Sequence, residues 1–115
     1  MKYMLLIYRD EATVQTASKS EGERTMAAYV AYTEALKNAG VLAGGERLQE
    51  STTATTVRVT NGKTNVLDGP YVETKEQLGG YYMIDVSDLD AALAWAGRCP
   101  GASHGVVEVR PVWAM

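Results

Sequence analysis

Asp68-Gly69-Pro70-Tyr71-Val72-Glu73-Thr74-Lys75-Glu76-Gln77-Leu78-Gly79-Gly80 divides this 115-residue chain into two halves that repeat one pattern. Asp-Gly-Pro is turn chemistry: glycine accepts a positive φ, and proline fixes its own φ and restricts the residue before it. Leu78-Gly79-Gly80 then leads into an apolar strand, Gly80 to Val86. A polar loop held by rigid punctuation between two strands is also where function tends to sit.

On the N-terminal side of this loop, Thr52 to Asp68 reads as a hairpin. Thr53, Thr55, Val57 and Val59 share a face by period 2, and Asn61-Gly62 is the strongest short hairpin signal. Before it stands a β-α-β unit. Lys2 to Arg9 is apolar on both faces, as in a central strand. Asp10 to Ala17 reads as a loop. Ser20 and Glu23 form a capping box for a helix running to about Ala39, with Met26, Tyr29, Val30, Thr33, Leu36 and Lys37 as its inward stripe. Val41 to Gln49 is a strand, where Gly44-Gly45 signals a bulge or a close backbone approach.

On the C-terminal side a second β-α-β unit follows. Ser87 is the expected N-cap of a helix from Asp88 to Arg98, striped by Leu89, Ala92, Leu93 and Ala96. Cys99-Pro100-Gly101 ends it, and Val106 to Val112 alternates as a strand. Two β-α-β units around one sheet predict a single ferredoxin-like α+β domain over residues 1–115, with an inserted hairpin. Helices cover one face of such a sheet. With no third helix for the other, a homodimer formed sheet to sheet is the economical expectation.

Composition excludes several classes. The net charge is −3 with no Lys/Arg cluster, so nucleic acid is not an expected partner. No apolar run reaches spanning length and none reads as a leader, so no membrane partner is expected and the chain reads as cytoplasmic. A single cysteine, Cys99, fits a reducing compartment, and its place at a helix C-terminus disfavours a thiolate. One histidine, one cysteine and no spaced cluster give no metal site. No Walker loop, dinucleotide fingerprint or nucleophile elbow occurs, so no cofactor is expected.

Acid–base chemistry therefore falls to a short set of residues. Asp68 either stabilises its own turn or acts as a rigidly held base. Glu73, Lys75 and Glu76 either form a solvated charge patch or converge in a cleft, where crowding would perturb their titration. His104 is either a solvated loop residue or the group whose ordinary pKa best suits proton transfer. Asp68, Glu76 and His104 are the candidate catalytic residues. Tyr8, Arg9, Glu46, Arg47, Tyr71, Glu73 and Lys75 are the candidate ligand contacts.

Several segments resemble the YCII-related superfamily, and more closely its DGPF-domain branch. They are Met1 to Tyr8, Gly44 to Leu48, Thr55 to Arg58 with the hairpin, Asp68 to Gly80, Tyr81 to Asp85, Leu89 to Ala96 and Val107 to Trp113. Tyr71 stands where the branch's name implies Phe. The resemblance implies a dimeric α+β barrel. Bacterial members of the branch are often encoded beside extracytoplasmic-function sigma factors, which implies a regulatory setting and a possible sigma-factor association. The simpler YCII-like proteins would imply a His–Asp pair with the histidine on the first helix. Here Glu21 to Ala39 holds none, so that pair is not carried over. Two readings follow: a small-molecule enzyme working by cofactor-free proton transfer, of lyase or isomerase type, beside the Asp68–Gly80 loop; or a non-catalytic ligand-sensing dimer.

Overall fold

A computed structural model describes residues 1–114. The strands are β1 (Lys2–Arg9), β2 (Leu42–Arg47), β3 (Thr55–Thr60), β4 (Lys63–Asp68), β5 (Gln77–Asp85) and β6 (Val106–Pro111). The helices are α1 (Glu11–Thr16), α2 (Lys19–Asn38), α3 (Leu89–Arg98) and α4 (Gly101–His104). Four strands form one antiparallel sheet in the order β2-β5-β1-β6, and β3-β4 form a separate two-stranded sheet. With α2 and α3 crossing over between the strands, this is the ferredoxin-like α+β arrangement with an inserted hairpin.

β1 is central, as its two apolar faces require, pairing with β5 on one side and β6 on the other. Tyr3, Leu5 and Ile7 point under the helices and are buried with Ile84 of β5, Tyr32 and Leu36 of α2, and Ala92 and Ala96 of α3. Met4, Leu6, Tyr81 and Met83 alternate onto the other face. They are half-buried, and none belongs to the buried core.

Several boundaries differ from expectation for local reasons. Residues 11–16 form α1 rather than a loop, because the Asp10 carboxylate accepts the Ala12 N–H at 2.9 Å and caps it. Ser18 rather than Ser20 caps α2, its hydroxyl accepting the Glu21 N–H at 3.1 Å. Ser18-Lys19-Ser20-Glu21 is itself a capping-box pattern, overlapping the one expected.

The buried stripe of α2 is also rotated from the expected one. Leu36 is buried and Tyr29 packs against the core as expected, but Met26 and Val30 are exposed and Tyr32 is buried in their place. Polar partners at depth fix this rotation. The Tyr32 hydroxyl donates to the Trp95 carbonyl at 2.7 Å, and Thr33 and Tyr82 share a hydroxyl hydrogen bond of 2.7 Å. The Tyr32 ring meets Tyr82 and Trp95 edge to face at 5.3 and 6.3 Å. On α3, Ala92 and Ala96 are buried as expected, but Leu89 and Leu93 are exposed.

The capping of α3 is likewise one residue on. Asp88, not Ser87, caps it, accepting the Ala91 N–H at 2.9 Å. Asp88→Ala is therefore expected to lower stability by about 1 kcal/mol in urea denaturation, and Ser87→Ala by less than about 0.5 kcal/mol.

The glycines behave as their neighbours demand. Asn61 and Gly62 carry φ of 52° and 75°, the two positive values of a tight hairpin turn. At β2, a Cβ on Gly45 would stand 2.8 Å from the Tyr81 carbonyl oxygen, and the β2–β5 register shifts between Leu42 and Gly44. Gly44-Gly45 therefore marks both the bulge and the close approach expected there.

Candidate functional site

β1 ends in Arg9, and β5 begins opposite it at Gln77, three residues inside the stretch expected to be loop. Ile7 pairs with Gly80 and Tyr8 with Leu78, so Gly79 is an extra residue that bends the strand end. The segment after Arg9 is clamped from two sides. The Glu11 N–H donates to the Gln77 side-chain carbonyl at 3.0 Å. The Glu11 carboxylate accepts the Ser51 N–H at 2.7 Å and the Ser51 hydroxyl at 2.8 Å.

Between this strand end, the first half of α2 and the short α4 lies a polar cleft of about 320 Å³. Arg9 and Asp10 enter it from β1 and the cap of α1. Glu21, Arg24, Thr25 and Ala28 come from one side of α2, and Pro100 and His104 from α4 and its cap. Arg9 is half-buried, and its buried Nε has no hydrogen-bond partner among the described residues. Neither Arg9 nor Arg24 makes an ion pair among the described residues. A buried guanidinium N–H left unpaired costs the desolvation of a charged donor, so the position favours an acceptor brought from outside. Asp10 and Glu21 share the hollow with two arginines and an imidazole, and the unpaired guanidinium of Arg9 is the group there that suits a small oxygen-bearing anion.

Tyr29 and Cys99 pack behind Arg9. Burial, then the neighbouring Cys99, pushes the Tyr29 hydroxyl up to about 12, although the Arg9 charge pulls it back. Burial, then Cys99, also raises Tyr32, and burial raises Tyr82. Cys99 is 1% exposed. Burial raises its thiol, and hydrogen bonds from the Gly101 and Ala102 backbone and from Tyr29 offset part of the rise. It is not a nucleophile, and alkylation by iodoacetamide at pH 8 is expected only after unfolding.

The tyrosines set an alkaline limit. Their folded-state pKa values lie above the ordinary value near 10, so above that pH the unfolded chain releases protons that the folded one retains. Their contribution to stability is whole below pH 10 and is lost as pH rises toward 12. Phenolate absorbance of Tyr29, Tyr32 and Tyr82 is expected to appear together with loss of far-UV circular dichroism. Ionisation of all the tyrosines with the fold intact would contradict this.

Of the residues singled out from sequence, the cleft brings together Arg9 and His104. Asp68, Glu73 and Lys75 are exposed, and neither they nor the half-buried Glu76 line it or make an ion pair among the described residues. The Asp68 loop is built on the hairpin instead. The Gly69 N–H donates to the Ala54 carbonyl at 2.7 Å, the Thr56 hydroxyl donates to the Gly69 carbonyl at 2.8 Å, and Arg58 lies 5.6 Å from the centre of the Tyr71 ring. Gly69 has φ of 101°, as the Asp-Gly-Pro turn requires. Glu46 and Arg47 are exposed on β2, opposite Tyr81 and Gly80, and do not pair with each other. Tyr8 is half-buried beside Val106. The sequence reading missed Asp10, Glu21, Arg24 and Thr25. Glu21, Arg24 and Thr25 fall at i, i+3, i+4, a polar row at helical spacing that was legible.

An antiparallel four-stranded sheet with crossover helices on one face and a polar cleft at the end of its central strand defines a ferredoxin-like α+β domain of the kind found in dimeric α+β barrels. The chain belongs to the YCII-related family, whose domain model matches residues 1–115. An uncharacterised protein of Rhizobium meliloti is 44% identical over 114 residues, covering 97% of this chain and 92% of the relative. Among solved structures, 5-chloro-2-hydroxyhydroquinone dehydrochlorinase from Burkholderia phenoliruptrix, in complex with 2,5-dihydroxybenzoquinone, superposes with a TM-score of 0.60. It is 16% identical, and the match covers 98% of this chain and 94% of that one. No helix among the described residues is long and apolar enough to cross a membrane.

Proposed function

We propose that the chain binds a small oxyanionic compound in the Arg9–His104 cleft and moves a proton on it without a cofactor. The observation that carries this reading is the buried Arg9 Nε, which has no partner among the described residues and sits in a hollow shared with an imidazole. Arg9 anchors the anion, and Arg24 supplies a second cation at the mouth. His104, exposed on α4, exchanges a proton between the bound compound and water. An ionised hydroxylated ring has the right chemistry. Its oxygen accepts from Arg9, and the negative charge spread into the ring makes a ring carbon the site where a proton is gained or lost. The dehydrochlorinase of similar fold was solved with such a compound, 2,5-dihydroxybenzoquinone.

That quinone serves as the probe. In deuterium oxide, wild-type protein is expected to speed exchange of the ring C–H, followed by proton NMR. His104→Gln should lower the exchange rate about 100-fold while binding stays within a few-fold. Asp68→Asn should match wild type in both. Full exchange activity in His104→Gln would remove the imidazole from the reaction. Its loss in Asp68→Asn would return the role to the loop.

A further inference from the structure

We propose that the Arg9–His104 cleft takes a zwitterion, a small compound with an oxyanion for Arg9 and a protonated nitrogen for the carboxylates of Glu21 and Asp10. This narrows the ligand class named above and rests on Arg9 as the anchor of the oxyanion.

The hollow is lined by charges of both signs. Arg9 and Asp10 enter from the end of β1, and Glu21 and Arg24 from α2. Two positive and two negative groups surround about 320 Å³, and none of the four makes an ion pair among the described residues. Helical spacing does not account for this. Glu34 and Lys37, at i and i+3 on α2, pair at 3.8 Å, whereas Glu21 and Arg24, with the same spacing and order, do not. The Glu21 N–H is taken by the Ser18 hydroxyl, but its carboxylate has no partner among the described residues. One Asp10 oxygen accepts the Ala12 N–H at 2.9 Å and caps α1.

Electrostatics decides what such a hollow prefers. A plain anion drawn to Arg9 also approaches two carboxylates, and their repulsion grows as the ligand displaces water. A cationic nitrogen on the same ligand turns that repulsion into charge-assisted hydrogen bonds. The volume lies at the small end of ligand pockets and suits a single-ring compound.

Two probes that differ in the nitrogen alone read the outcome by calorimetric titration at fixed pH and salt. para-(Aminomethyl)benzoate carries a carboxylate and an ammonium, and para-methylbenzoate carries the carboxylate only. Wild type is expected to bind the first about tenfold more tightly. Glu21→Gln should weaken the first about fivefold and leave the second unchanged. Glu23→Gln removes the same charge from an exposed position of the same helix outside the cleft, and should change neither. Arg9→Met should weaken both, which tests the anchor separately. Equal affinity of wild type for the two probes overturns the proposal and leaves the anchor standing. So does a Glu21→Gln protein that loses both probes alike. Full affinity for both in Arg9→Met removes the anchor, and the zwitterion site with it.

Discussion

Gly105→Ala is expected to cost about 3 kcal/mol and to lower the melting temperature by roughly 15 °C. The cause is space, not backbone strain, since Gly105 has an extended φ of −161°. A Cβ built there would stand 2.1 Å from the Tyr8 carbonyl oxygen and 3.1 Å from the Arg9 Cα. Real side chains do not approach backbone so closely, and β1 cannot retreat because β5 and β6 hold it on both sides. The junction of α4 and β6 must move instead, breaking the 2.8 Å hydrogen bond from the Gly105 N–H to the Gly101 carbonyl. His104 is the adjacent residue, so the shift also pulls the imidazole away from Arg9. Gly97→Ala is the internal control. Nothing lies within 4 Å of its added Cβ, and in the last turn of α3 the change is expected to gain up to about 1 kcal/mol. A Gly105→Ala protein that melts like wild type would mean that the two backbones are not in contact.

The second large effect is a split between affinity and stability. Arg9→Met keeps the aliphatic stem and removes the unpartnered guanidinium. Folding should lose nothing, and the variant is expected to be as stable as wild type or slightly more so, because a buried donor with no acceptor has been deleted. Binding of 2,5-dihydroxybenzoquinone, by contrast, is expected to weaken about 100-fold, or about 2.7 kcal/mol, the worth of a charge-assisted hydrogen bond in a partly desolvated site. Calorimetric titration and thermal melting on one preparation give both numbers. A destabilised variant with unchanged affinity would make Arg9 a structural residue.

Most of the fold was legible because its signals are local. Alternation in Lys2–Arg9 and Val106–Val112, the Asn61-Gly62 turn and two crossover helices suffice to order the sheet. Where the reading slipped, two local signals competed and tertiary contacts chose. Ser18 and Ser20 both head capping boxes, and Ser18 serves because α2 begins before Ser20. Met26 and Val30 yielded the inward side of α2 to Tyr32, whose hydroxyl donates to the Trp95 carbonyl of α3. The site was less legible for a different reason. Arg9 and His104 are 95 positions apart, and their meeting depends on α4, a four-residue helix after Pro100 with no periodicity to read. The acidic loop drew attention because charge and turn chemistry are dense there, yet Gly69 is tied to Ala54 and Thr56, and Thr74 bonds with Glu76 and Gln77 within the stretch itself.

The most direct test of the cleft is to map where the quinone binds. In a ¹⁵N-labelled sample titrated with 2,5-dihydroxybenzoquinone, the largest amide shifts are expected at Arg9, Asp10, Arg24, Thr25, Gly101 and His104, with Asp68 to Lys75 unmoved. Shifts centred on Asp68 to Lys75, with the strand end and α4 silent, would contradict the assignment of the site to the Arg9–His104 cleft.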